Sequence, residues 1–135
     1  MSHGLKWEDE GYYLHMWGTV TTDDMDDALA KIWGNTRSDS MKYCIRDYLD
    51  VTKVDIDIDI DMSMDEVSLY VSTYEKSATN SSHNPLKLVA FLSQNEEMNH
   101  IIEGYSQLMK KHNPDAIFKN FENVKDARVW VSSSL

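Results

Sequence analysis

The most unusual candidate for chemistry is a run of aspartates that alternate with isoleucines: Asp55, Asp57, Asp59 and Asp61. Carboxylates are ligands for hard cations, so these four are candidate metal ligands. On one face of a strand, however, neighbouring carboxylates would lie about 7 Å apart, which prevents one ion from touching more than two. A calcium loop would need glycine at its sixth position, where Ile60 stands, although Glu66 occupies the twelfth. We therefore expect a solvated strand face whose charge opposes aggregation.

The other titratable residues form no recognised catalytic or metal-binding motif. The five histidines lack the spacing of a zinc site, and His15 alternates with apolar neighbours, as a strand side chain would. The sequence contains neither a G-x-S-x-G nucleophile elbow nor a glycine-rich phosphate loop. The single cysteine, Cys44, lies in an apolar run that predicts a buried thiol. We expect a protein that is not an enzyme and has no cofactor; an enzyme, the third alternative, would need a cleft that holds convergent polar groups.

An excess of acidic residues narrows the choice of partner. The 135 residues include 23 Asp and Glu against 13 Lys and Arg, a formal net charge of −10. Residues 1–83 contain 17 of these acids and only 7 of the basic residues. This charge argues against nucleic acid and anionic lipid as partners, and a partner should instead be basic. Because no long apolar run and no signal-peptide region occur, we expect a cytoplasmic protein without membrane insertion.

Apolar spacing predicts the beginning of the fold. Leu5–Trp7 and Tyr12–Trp17 flank a polar turn that ends in glycine, which predicts an antiparallel hairpin. An apolar stripe over Met25–Trp33 predicts a helix. Thr21 or Thr22 can cap this helix, and the acidic residues behind the cap suit the positive end of its dipole.

The middle of the chain combines strands with a second helix. Tyr43–Tyr48 predicts a buried strand that ends over Leu49–Lys53, and Val54–Met62 alternates as a further strand. Ser63 and Glu66 form a capping box, which predicts a helix from Ser63 onward.

The last part of the chain continues the alternation of strands and helices. Its elements are a central strand at Leu86–Leu92, a helix capped by Ser93 with a stripe from Met98 to Met109, a short strand at Ala116–Phe118 and a final helix over Val124–Val131. Strands joined by helices imply parallel pairing. The predicted fold class is α/β: one domain over residues 1–135, with a mixed, mostly parallel sheet of about five strands, an N-terminal antiparallel hairpin and four helices.

Several segments resemble SpoIIAA-like proteins, which belong to the wider STAS fold. The segment from Phe121 through Ala127 to Trp130 and Val131 is similar to their ending F-x-x-x-x-x-A-x-x-W-[LV]. The chain shares three further features with these proteins: the early strand with Gly18, Ile45-Arg46-Asp47 in the middle strand, and Leu88-Val89-Ala90-Phe91 before the third helix. The resemblance extends from about Leu5 to Val131.

This resemblance implies a non-enzymatic regulatory module that binds a protein, as in bacterial signalling. In the antagonists of this group a serine at the start of the second helix is phosphorylated, and Ser63 holds that position here. Related domains of Sec14-type topology carry lipids, so the alternative is a carrier or sensor of a small apolar ligand. Candidate residues for an apolar pocket or partner face are Val67, Tyr70, Tyr74, Ile101, Tyr105 and Trp130. The edge of the first hairpin could also pair two copies in a homodimer.

Overall fold

The computed structural model describes residues 3–55, 86–112 and 114–135. They form one five-stranded sheet in the order β1-β2-β3-β4-β5, in which β1 and β2 are antiparallel and all other neighbours are parallel. The strands are β1 His3–Trp7, β2 Gly11–Thr21, β3 Tyr43–Asp55, β4 Leu88–Leu92 and β5 Ile117–Phe121. The α-helices of the described ranges are α1 Thr22–Trp33, α2 Glu96–His112 and α3 Val124–Ser134, and a 3-10 helix spans Thr36–Asp39. The predicted mixed α/β sheet is confirmed.

The predicted N-terminal hairpin is also confirmed. The N–H of Glu8 donates to the carbonyl oxygen of Gly11 at 2.8 Å and closes the turn between β1 and β2. A side chain at Gly11 would place its Cβ 2.2 Å from the carbonyl oxygen of Tyr43, so only glycine allows β3 to approach this closely. The absence of a side chain at Gly11, at the end of the hairpin turn, thus allows the backbone of β3 to pack directly against it.

The start of α1 is fixed by a capping box. The Thr21 side chain accepts a hydrogen bond from the N–H of Asp24 at 3.2 Å, and the Asp24 carboxylate accepts one from the N–H of Thr21 at 3.0 Å. The two bonds satisfy backbone donors that the helix itself leaves free. Of the two predicted capping residues, Thr21 is the N-cap.

Hydrophobic clusters cover both faces of the sheet. One cluster, on what we call the α1/α2 face, includes Ala28, Leu29 and Ile32 of α1 with Met98 and Ile102 of α2. The other, on the α3 face, includes Ala127 and Val131 of α3. Successive residues of β4 alternate between the clusters and all of them are buried, which confirms the predicted central strand. Cys44 is a buried free thiol, as predicted.

β3 is longer than the sequence pattern predicts. The predicted strand end over Leu49–Lys53 is wrong, because β3 continues through it to Asp55. Its pairing with β2 shifts register between His15 and Trp17 and again between Gly18 and Thr19. These bulges interrupt the alternation of side chains between the two faces, and so the pattern of a continuous strand is lost from the sequence.

Two element boundaries also differ from the predictions. At the start of α2 the Asn95 side chain, not that of Ser93, accepts the N–H of Met98, at 3.0 Å; Ser93 instead accepts the N–H of Asn95 at 3.3 Å. β5 extends beyond the predicted end at Phe118, because its residues pair with β4 as far as Phe121.

Some predictions lie outside the described residues. These are the continuation of the acidic strand beyond Asp55 and the helix from Ser63, so three of the four predicted helices can be compared with the structure. Within the described ranges, no helix has the length and apolar character needed to cross a membrane.

A glycine of β2 that lies opposite the bulged part of β3 provides a test of this strand geometry. Gly18 has a φ of 70°, a conformation that residues with a side chain rarely adopt. We expect Gly18→Ala to lower the free energy of unfolding by about 1–2 kcal/mol, measured by urea denaturation. The control is Gly104→Ala in α2, where an added Cβ meets open space. This change should raise the free energy of unfolding by about 0.5–1 kcal/mol. If both substitutions changed the free energy of unfolding in the same direction, the left-handed conformation assigned to Gly18 would be contradicted.

Candidate functional site

Three ring side chains form a row on the α3 face of β2. We call Tyr13, His15 and Trp17 the ring column; they alternate along the strand and therefore share one face. The ring centroids of Tyr13 and His15 lie 6.5 Å apart, and those of His15 and Trp17 lie 5.1 Å apart. α3 packs on β3, β4 and β5, and 40% of Trp17 is exposed. The Trp17 end of the ring column is thus an open part of the sheet surface.

A bulge in β3 brings Asp50 to the ring column. Asp47 lies opposite His15 and Asp50 lies opposite Trp17, so three steps along β3 match two steps along β2. The extra residue turns the Asp50 side chain to the face that carries His15. Its Oδ2 lies 2.7 Å from Nε2 of His15, and 66% of the Asp50 side chain is exposed. An accessible carboxylate therefore stands beside the aromatic rings.

A second carboxylate at the ring column, Asp47, is buried. It accepts hydrogen bonds from the Tyr13 hydroxyl and from the N–H of Leu49, the latter at 3.0 Å. Burial, and then the bond to Asp47, raise the pKa of Tyr13 well above its usual value, because both disfavour the phenolate. The Tyr13 hydroxyl is accordingly a fixed hydrogen-bond donor.

An ion pair links α3 to the hairpin turn beside Tyr13. Arg128 donates from Nη1 and Nη2 to the two carboxylate oxygens of Glu8, at 2.6 and 2.7 Å. The guanidinium carbon lies 5.5 Å from the centre of the Tyr13 ring, and the Tyr43 hydroxyl also donates to Glu8. The bond to Arg128 lowers the pKa of Glu8. Burial, followed by the bond to Glu8, raises the pKa of Tyr43 to about 12.

A buried charge lies on the opposite face of β3. Arg46 is 2% exposed, and its Nε donates to the Tyr12 hydroxyl at 3.0 Å. The guanidinium carbon lies 5.1, 5.9 and 6.0 Å from the ring centres of Tyr105, Phe91 and Tyr12. Among the described residues no carboxylate forms an ion pair with Arg46. Aromatic rings and hydroxyls hold this charge in the core, away from solvent.

The structure separates the residues predicted for an apolar pocket or partner face. Ile101 and Tyr105 pack on the α1/α2 face, whereas Trp130 packs on the α3 face with its ring 5.4 Å from that of Phe121. Asp55 is the exposed last residue of β3. The remaining candidates lie outside the described residues: Asp57, Asp59, Asp61, Ser63, Val67, Tyr70 and Tyr74. No cluster of three or more potential metal ligands occurs in the part that the structure describes.

Only part of this site has a signal in the sequence. The ring column is visible as aromatic residues at alternate positions of a predicted strand, and the prediction of His15 as a strand side chain is confirmed. The position of Asp50 depends on a bulge, and that of Arg128 depends on a contact with Glu8 across 120 residues. Neither produces a local pattern from which the site could be predicted.

Comparisons with known structures agree with this architecture. The anti-sigma factor antagonist SpoIIAA in its unphosphorylated form matches with a TM-score of 0.57 and 9% identity, over 98% of this chain and 99% of that chain. Phosphorylated SpoIIAA from Bacillus matches with a TM-score of 0.51 and 13% identity, over 96% of this chain and 98% of that chain. An uncharacterised protein with a SpoIIAA-like fold from Shewanella loihica PV-4 matches with a TM-score of 0.46 and 16% identity, over 95% of this chain and 90% of that chain.

The chain therefore has a SpoIIAA-like fold, as the resemblance of its sequence segments implied. No family model and no curated protein matches the sequence.

The ion pair beside Tyr13 predicts a pH-dependent contribution to stability. Because the pKa of Glu8 in the folded protein lies below its usual 4.5, the contribution is complete above that pH and is lost as the pH falls through the folded-state value. Arg128→Met should lower the free energy of unfolding by about 1 kcal/mol at pH 7, with a smaller effect below pH 4.5. Urea denaturation across this pH range measures the difference.

The matched control is Lys125→Met, an exposed position on the same helix. It should change the stability little at any pH. An effect of Arg128→Met that is equally large at pH 3 and pH 7 would contradict the assigned role of the ion pair.

Proposed function

We propose that the protein is a non-enzymatic regulatory module that binds another protein through the ring column and Asp50. The exposed indole of Trp17, on an open and bulged sheet face, is the observation that carries this proposal. Aromatic side chains are enriched in protein interfaces, where they bury a large area at a low cost in conformational entropy. Trp17 is suited to be the centre of such an interface.

The neighbours of Trp17 support a preformed surface. Tyr13 is fixed by its bond to Asp47 and by the Arg128 guanidinium over its ring. His15 is fixed between its two ring neighbours and by Asp50. Side chains that are already ordered lose little freedom when a partner binds, which favours affinity.

The chemistry of this surface favours binding over catalysis. The hydroxyls of Tyr13 and Tyr43 donate to carboxylates and their pKa values are raised, so neither is an activated nucleophile. The pair of His15 and Asp50 lies on an exposed sheet face, whereas general acid–base chemistry profits from a cleft that excludes water.

The fold and the charge support a protein partner. SpoIIAA, whose fold this chain shares, is an anti-sigma factor antagonist, so that protein acts on another protein. The net charge of −10 favours a basic partner for this chain. Phosphorylation of Ser63 and a homodimer through β1, the edge strand of the sheet, remain predictions from the sequence.

The alternative function, carriage or sensing of a small apolar ligand, has weaker support in the described residues. A cleft of about 420 Å³ between α2 and β5 includes Phe91, Ile102 and Phe118. Its other lining residues are polar or charged: Asn99, Glu103, Ser106, Gln107, Lys110, Lys119 and Asn120. Pockets for apolar ligands are lined mostly by hydrophobic side chains, so this cleft fits such a ligand poorly.

The proposal is tested by affinity capture from a lysate of the source organism with quantitative mass spectrometry. The wild-type protein should enrich at least one protein that Trp17→Ser does not, because this change removes the exposed indole from the surface. Val129→Ser is the control, since Val129 is 58% exposed but lies on α3, outside the ring column. It should retain the same captured protein.

Circular dichroism establishes that both variants are folded before capture. The proposal would be contradicted if the wild type enriched no protein above the level of an empty matrix. Equal retention, or equal loss, of the captured proteins by the two variants would also contradict it.

A further inference from the structure

We infer that the exposed end of the ring column binds an arginine side chain of the partner, between the indole of Trp17 and the carboxylate of Asp50. This inference rests on the proposed function and specifies the chemistry that the partner must present.

The protein already holds one guanidinium against the ring column. At the Tyr13 end, the guanidinium carbon of Arg128 lies 5.5 Å from the ring centre, while both of its terminal nitrogens donate to Glu8. An aromatic face and a carboxylate at its side together satisfy a guanidinium: the ring quadrupole attracts the charge and the oxygens accept the hydrogen bonds. The contacts of Arg128 thus show which two groups bind an arginine side chain on this surface: an aromatic ring and a carboxylate.

At the Trp17 end, an aromatic face and a carboxylate are likewise available to a residue of a partner protein. Trp17 and Asp50 are partners across the parallel strands β2 and β3, and neighbouring strands of a sheet lie about 4.8 Å apart. Both side chains are accessible. Within the described residues, Asp50 is hydrogen-bonded only through Oδ2, so Oδ1 can accept from an incoming donor.

The geometry selects arginine rather than lysine. A guanidinium is planar, so it can stack on the indole and still donate within its plane to Asp50, whereas an ammonium group provides a point charge. Tryptophan is the best aromatic partner for a cation, and the net charge of −10 attracts basic groups to this chain. These features complement an arginine-bearing protein segment.

The test uses the pentapeptide acetyl-Gly-Gly-Arg-Gly-Gly-amide in an NMR titration of the full chain. The indole N–H signal of Trp17, assigned with Trp17→Leu, should shift saturably. The citrulline counterpart has nearly the same shape without the charge, and should bind about three- to fivefold more weakly. The lysine counterpart should also bind more weakly than the arginine peptide.

Two variants provide the matched comparison. Asp50→Asn should weaken binding of the arginine peptide about threefold or more, because it removes the charge of the accepting group. Glu122→Gln removes one negative charge at an exposed position outside the ring column and should leave the affinity unchanged. Equal affinity for the arginine and citrulline peptides, equal effects of the two variants, or no shift of the Trp17 signal would overturn the inference.

The outcome separates this inference from the proposed function. If capture of a protein depends on Trp17 but the arginine peptide does not bind, only the arginine inference fails. If no protein is captured through Trp17, the proposed function itself fails.

Discussion

The parallel pairing of β2 with β3 holds the N-terminal hairpin to the rest of the sheet and sets the partners of its polar side chains. Neighbouring residues of β2 point to opposite faces, so Tyr12 bonds to Arg46 in the core and Tyr13 bonds to Asp47 on the α3 face. A slip of one residue would exchange the two faces and leave a guanidinium and a carboxylate without these bonds. The register of this one strand pair therefore determines both the core and the candidate site.

The two faces of the sheet are used differently. Helices α1 and α2 cover one face, where even the charge of Arg46 is withdrawn from solvent. On the other face α3 packs on β3, β4 and β5, and the Trp17 end of the ring column on β2 stays accessible. Binding at that end needs no opening of the core, because the Trp17 indole and the Asp50 carboxylate already face solvent.

The sequence predicts those helices and strands in which apolar residues recur at a constant spacing along the whole element. The hairpin, the stripe of α1, the buried strand β4 and the final helix α3 all follow from local patterns. Prediction fails where the period is broken, as at Leu49–Lys53, and where two capping residues compete, as Ser93 and Asn95 do. Two residues of the candidate site, Asp50 and Arg128, have no local signal, because a bulge places Asp50 and a contact across 120 residues places Arg128.

The bond between Glu8 and Arg128 joins segments that lie 120 residues apart. Translation proceeds from the N-terminus, so Glu8 and Tyr13 are synthesised before Arg128. The surface beside Tyr13 acquires its final arrangement only after translation has passed residue 128. A partner that recognises this arrangement would discriminate between chains in which α3 has packed on the sheet and shorter nascent chains that lack it.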